Sequence, residues 1–156
     1  MIDIDIDIDY KDLKNLIKSL EKDIKVKVGM LAGKGGDELV VDQDDLDLAG
    51  LGAQHEFGHG NIPVRSFLEM PFDVKNDEFF RLLKDLIDVE LLKDKNSTHL
   101  ADEIGLCALA IIAEAFDTQG FGQWEDNAPY TIAIKGRNEP LVDTGKMRDT
   151  INFEVI

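Results

Sequence analysis

From Ser97 to about Phe116 the chain reads as one helix, nearly apolar between Ile104 and Ala113. A helix apolar on most sides is buried on most sides, so other elements must wrap it. Membrane insertion is not the answer. The run from Ile104 to Ala115 is interrupted by Gly105 and Glu114, and no apolar run approaches the ~18 residues a span needs. The chain must therefore build a water-soluble core around this helix. At 156 residues it has the length of about one domain and enough chain to bury most of its apolar surface without staples.

The other elements follow from periodicity. Ile24, Val26, Val28 and Met30 alternate with Lys25 and Lys27 as a strand. Ala32 to Asp37 reads as a hairpin loop with Glu38 to Val41 as its return. Asp44 to Phe57 reads as a helix with Leu46, Leu48, Ala49, Leu51, Ala53 and Phe57 largely inward. A loop follows from Gly58 to Pro71. Asn76 to Lys93 is a further helix, with Phe79, Phe80, Leu83, Leu86, Ile87 and Leu91 at helical spacing. Gly120, Gly122 and Pro129 mark a long loop around Trp124, and Thr131 to Ile134 a short strand or helical turn. Asp143-Thr144-Gly145 is turn chemistry. Beyond it Ile151, Phe153 and Val155 alternate with Asn152 and Glu154 as a half-buried strand, which ties this segment into a sheet or a neighbouring subunit.

At the N-terminus Ile2, Ile4, Ile6 and Ile8 alternate with aspartates as an edge strand or a flexible segment. Asp9 then caps a helix carrying Leu13, Leu16, Ile17 and Leu20. The expected fold is a single α+β domain over residues 1–156: a small, mostly antiparallel sheet with two or more packed helices.

Charge narrows the partners. The chain has 17 basic and 32 acidic residues, a net charge of −15. From Thr131 onward four basic residues balance four acidic ones, so the whole excess lies in residues 1–130. Such a surface repels phosphate and carries no basic stripe, which argues against sequence-specific nucleic-acid binding. Solubility explains it; a face past which DNA slides without sticking is the sharper alternative. The single cysteine, Cys107, lies in the apolar helix and reads as an inert thiol in a reducing cytoplasm.

His55-Glu56-Phe57-Gly58-His59 matches H-E-x-x-H, which on a continuous helix presents two imidazoles to zinc and a glutamate to its water. Here Gly58, Gly60, Asn61 and Pro63 make the second histidine a helix ending. The extended zinc pattern wants a glycine at Ile62 and a histidine at Arg65. A zinc-dependent peptidase is thus the alternative reading, and His55 as a helix-end residue with a hydrogen-bond partner the plainer one. Gly33-Lys34-Gly35-Gly36 lacks the spacing of a phosphate loop and reads as a turn. The acidic run Asp42, Asp44, Asp45 and Asp47 reads as helix-cap and dipole stabilisation.

Four blocks remain: His55 to Gly58 with Ile62 to Leu68, Phe121 to Trp124, Pro129 to Gly136, and Pro140 to Arg148. In this order and spacing the chain resembles small tailed-bacteriophage proteins of tail completion, the neck and virion morphogenesis, over roughly residues 24–156. Asp126-Asn127-Ala128 departs from the family's proline-rich approach to the third block, and the run from Ile2 to Asp9 is unlike the family. The resemblance implies a non-catalytic assembly protein at the head–tail junction or proximal tail end, without cofactor or metal. It implies a homo-oligomeric ring, a hexamer, meeting head-completion and tail-tube proteins, in the virion and, during assembly, the host cytoplasm. Ile62, Arg65, Phe67, Trp124, Leu141 and Arg148 are then the expected joining residues. On this reading Arg65→Ala or Trp124→Ala impairs assembly and spares the fold.

Overall fold

The computed structural model describes residues 24–31, 48–92, 97–143 and 145–156. The expected Ile2–Asp9 strand, the helix after Asp9, the Ala32–Asp37 loop with its return strand, and the aspartates from Asp42 to Asp47 lie outside them. The described residues form an α+β fold of six helices and one two-stranded sheet. In chain order these are β1 (Val26–Met30), α1 (Leu48–Phe57), α2 (Met70–Val74), α3 (Asn76–Leu92), α4 (Ser97–Asp117), α5 (Pro129–Lys135), α6 (Lys146–Asp149) and β2 (Ile151–Val155). None of these helices is long and apolar enough to cross a membrane.

The alternating segments at the two ends find each other. β1 and β2 pair antiparallel, with Val26 opposite Val155, Val28 opposite Phe153 and Met30 opposite Ile151. The Ile156 amide donates to the Lys25 carbonyl at 2.9 Å and extends the ladder. The sheet lies on α4, whose Leu100, Ala101, Ala108, Ile111, Ile112, Ala115 and Phe116 are buried. This is the wrapped helix that composition demands, though not on every side: Leu106 is 52% exposed. Cys107 is half-buried, and burial pushes its thiol pKa up, away from reactivity.

Gly105, which interrupts the apolar run, is a socket rather than a break. The Phe153 ring of β2 occupies the space a Cβ would need. Gly105→Val is therefore expected to destabilise by about 1–3 kcal/mol through overpacking. Denaturant unfolding measures it, and adding Phe153→Ala is expected to recover part of the loss; a Gly105→Val protein as stable as wild type would refute the socket.

Several expected faces differ. The buried residues of α1 are Leu48, Gly52 and Glu56, while Phe57 is 73% exposed and Ala53 points outward. Met30 lies so close to Gly52 that a Cβ there would stand 2.7 Å from its sulfur. The strand thus packs where the helix has no side chain, which hydrophobicity alone points away from. On α3, Phe79, Leu83 and Leu86 are half-buried, whereas Phe80 is 61% exposed. The loop after Gly58 ends at Met70, where α2 begins, and Thr131–Ile134 belongs to α5, which starts on Pro129 as a helix tolerates.

Candidate interaction surface

The loop between α1 and α2 is held by one carboxylate. Glu56 sits in the last turn of α1 and is 6% exposed. Its oxygens accept from Ser66 Oγ (2.7 Å), Phe67 N (2.7 Å), Leu68 N (3.0 Å) and Glu69 N (3.0 Å). Burying a carboxylate is costly unless its acceptor sites are filled, and here charge-assisted bonds fill them. Ser66 Oγ in turn accepts from Met70 N at 2.9 Å, so the same hydroxyl leads into α2. Gly58, with φ +75°, turns the chain back. His59 and Ile62 exchange backbone hydrogen bonds, and Arg65 N donates to the His55 carbonyl at 2.7 Å.

A second set of bonds ties this loop to the one after α4. Arg65 is 5% exposed, and its guanidinium donates to the carbonyls of Glu125 (2.7 Å) and Asp126 (2.8 Å). The rigid fork of arginine matches two successive carbonyls as a lysine would not. Burial lowers the Arg65 pKa, opposed by the Glu125 and Asp126 charges. Trp124 Nε1 donates to the Ser66 carbonyl at 2.9 Å, and its ring stacks edge-on to Phe116, which meets Phe67 the same way. Gln119, Gly120, Phe121 and Gly122 all have positive φ. That tight coil folds the chain back so that the indole lies on Gly120, where no Cβ fits.

The remaining blocks join through α5. Asn127 N donates to Asn138 Oδ1 at 2.9 Å, Lys135 Nζ to the Val142 carbonyl at 3.1 Å, and Arg137 to the Asp143 carbonyl at 2.7 Å. Arg148 pairs with Asp117 at 2.7 Å, an ion pair within one chain.

The expected joining residues are therefore placed unevenly. Phe67 is fully buried, Trp124 is 7% exposed, and Arg65 is held inside by the Glu125 and Asp126 carbonyls. The correction is physical: these three stitch loops together within the protomer and present little to a neighbour. Ile62 is half-buried beside the His59 bridge, Leu141 half-buried against the core with φ +62°, and Arg148 half-exposed. What the surface does offer is Phe57, Val64, Tyr130 and Ile134, at 73%, 59%, 77% and 68% exposure. The hydrophobic pattern placed Phe57 inward; the lack of charge around these residues was the available signal.

The H-E-x-x-H match does not survive as a helical face. α1 ends at Phe57, so His59 lies beyond it, exposed and paired through its backbone with Ile62. Both Glu56 oxygens are committed to the loop. Among the described residues no group of three or more His, Cys, Asp or Glu is placed to hold a metal ion. Among the described residues the His55 ring has no hydrogen-bond partner at Nδ1, which is buried. Burial first, then the charges of Arg65 and Lys135, lowers the His55 pKa to about 4.

That shift has a sign. The folded chain disfavours the imidazolium, so stability is fully present above about pH 6.5 and is lost as pH falls toward 4. Allowing for the partial exposure of the ring, the loss is about 1–2 kcal/mol. In His55→Gln the fall in stability across this window is expected to be shallower by that amount. Urea unfolding at pH 7, 5.5 and 4 measures it; parallel wild-type and variant curves would discard the assignment.

Comparison with family profiles, with curated proteins and with solved structures finds no match to this chain.

Proposed function

We propose that the chain is a structural, non-catalytic component of a tailed-phage particle, working at the head–tail junction or proximal tail end. It acts there as a homo-oligomeric ring, expected to be hexameric, between head-completion and tail-tube proteins. Its place is the virion and, during assembly, the host cytoplasm.

The observation that supports this reading is the pairwise joining of the four resemblance blocks by hydrogen bonds, the first with the second through Trp124 and Ser66 and the third with the fourth through Lys135 and Val142. Glu56 accepts from the Ser66 hydroxyl and the Phe67, Leu68 and Glu69 amides, Arg65 and Trp124 tie that loop to the next, and Lys135 and Arg137 donate to the Val142 and Asp143 carbonyls. In each pair the hydrogen bonds hold one loop against the next. Loops held in this way suit a part whose work is surface complementarity. Glu56 is spent on holding the loop, which leaves the zinc-peptidase alternative without its base.

The test is genetic and microscopic. Particles released by the source strain should contain the protein by mass spectrometry, and deletion should leave heads and tails unjoined under the electron microscope. Normal, infectious particles without the gene would overturn the proposal. So would stoichiometric zinc that is lost in His59→Ala.

A further inference from the structure

α5 is held at its ends rather than along its length. None of its seven residues is buried. In front of it, Arg65 donates to the carbonyls of Glu125 and Asp126. Across its base, Asn127 N donates to Asn138 Oδ1 at 2.9 Å. Behind it, Gly136 takes φ +70° and Lys135 Nζ donates to the Val142 carbonyl. A short helix closed at its base can swing as a unit, with the residues at its two ends absorbing the change. Elements packed so lightly open locally at small free-energy cost.

What it swings from is the end of α1. The His55 carbonyl accepts from Arg65 N, and the His55 ring is near enough to the Arg65 and Lys135 cations for both to oppose its protonation. Among the described residues, its buried Nδ1 has no hydrogen-bond partner, and neither has the buried Nδ2 of Asn127 at the foot of α5. A neutral imidazole can carry a lone pair at Nδ1. An imidazolium has an N–H there, and this site gives it no acceptor. The nearest carboxylates are spent elsewhere: Glu56 on the Ser66 hydroxyl and three amides, and the Glu125 and Asp126 charges on Arg65.

We infer that protonation of His55 swings α5 away from the end of α1, so that this junction is a latch closed at neutral pH and opened in mild acid. The inference stands apart from the assembly reading. Opening carries Lys135 away from the new charge, lets water reach the ring, and moves the exposed Tyr130 and Ile134. The Glu56 clamp and the core around α4 stay in place. The sign follows from linkage. Burial and the two cations lower the closed-state pKa from the ordinary 6.5 to about 4, so the closed form is fully favoured above pH 6.5 and loses ground as pH falls toward 4. Between pH 7.5 and pH 5 the open form gains about 30-fold if opening solvates the ring fully, and about ten-fold after the discount for its partial exposure.

Hydrogen exchange on the full chain tests it, at pH 7.5 and pH 5 with the intrinsic pH dependence of exchange divided out. Wild-type amides of α5 are expected to lose about ten-fold in protection at pH 5. Low urea, below the unfolding transition, should not change that loss, which marks a local opening rather than global unfolding. In His55→Gln the α5 protection should agree within about two-fold at the two pH values, while His59→Gln, at the exposed neighbour, keeps the wild-type response. Should His55→Gln open α5 on its own account, Lys135→Gln decides: with one repelling cation gone, the loss at pH 5 must shrink, and an undiminished loss overturns the inference. Wild-type α5 protection that is equal at both pH values, or absent at pH 7.5, also overturns it. So does a loss that grows with urea in step with α4, which would place the titration in global unfolding.

Discussion

Glu56→Ala is expected to cost about 3–5 kcal/mol of folding stability, the range for removing one partner of a buried charged network. The truncation leaves three backbone amides and the Ser66 hydroxyl facing an emptied site, and each buried donor without an acceptor carries a penalty of about 1–3 kcal/mol. Water entering the vacated space offsets part of the sum, which is why the total falls below simple addition. Glu56→Gln separates shape from charge. Its amide keeps one acceptor oxygen but turns an NH2 toward donors, so it should lose more than half of what alanine loses. Denaturant titration of the three proteins measures this, and circular dichroism checks that the variants fold. If Glu56→Gln is as stable as wild type, the carboxylate is not the clamp described.

Trp124→Ala is the second large effect, at about 3–5 kcal/mol. The indole fills the cluster with Phe67, Phe116 and Met147, and its N–H satisfies the Ser66 carbonyl. Its loss leaves both a cavity and an unpaired acceptor. Trp124→Phe keeps one six-membered ring but loses the rest of the indole with its N–H, so a smaller loss of about 1–3 kcal/mol is expected. Trp124 is also the chain's single tryptophan, so its emission should be blue-shifted in the native state and move red on unfolding. A red native emission would place the ring in water and refute the packing. A Trp124→Ala protein that unfolds like wild type but fails to assemble would restore the joining role first expected of this residue.

Much of the fold is legible in the sequence where periodicity is strong. α3 and α4 begin and end close to where helical spacing puts them, and the alternation at Val26–Met30 and Ile151–Val155 marks both strands. What periodicity cannot express is which strand meets which: the partners lie at opposite ends of the described chain, and nothing local joins them. The inward face of α1 was illegible for a different reason. Two of its three buried positions are Gly52 and Glu56, a space for a neighbour and a clamp for a loop, and a hydrophobicity scale scores neither as core. Trp124 and Phe67 looked like anchors for a partner because they stand in loops. The loops themselves fold inward, driven by a coil of left-handed residues and by backbone carbonyls that need Arg65.

The β1–β2 pairing also sets the order of events when the chain is made. Met30 must wait for Ile151, a separation of 151 − 30 = 121 residues. At about 5–20 residues per second of synthesis that is a delay of roughly 6–24 s. During it Val26, Val28 and Met30 have neither their ladder partner nor the Phe153 ring that seats β2 on α4. A strand waiting in that condition is a template for wrong pairing with other nascent chains. Lys25 and Lys27 stand at its start, where positive charge discourages such pairing. Replacing them with threonine should leave the finished protein's stability nearly untouched and lower the fraction recovered soluble from translation.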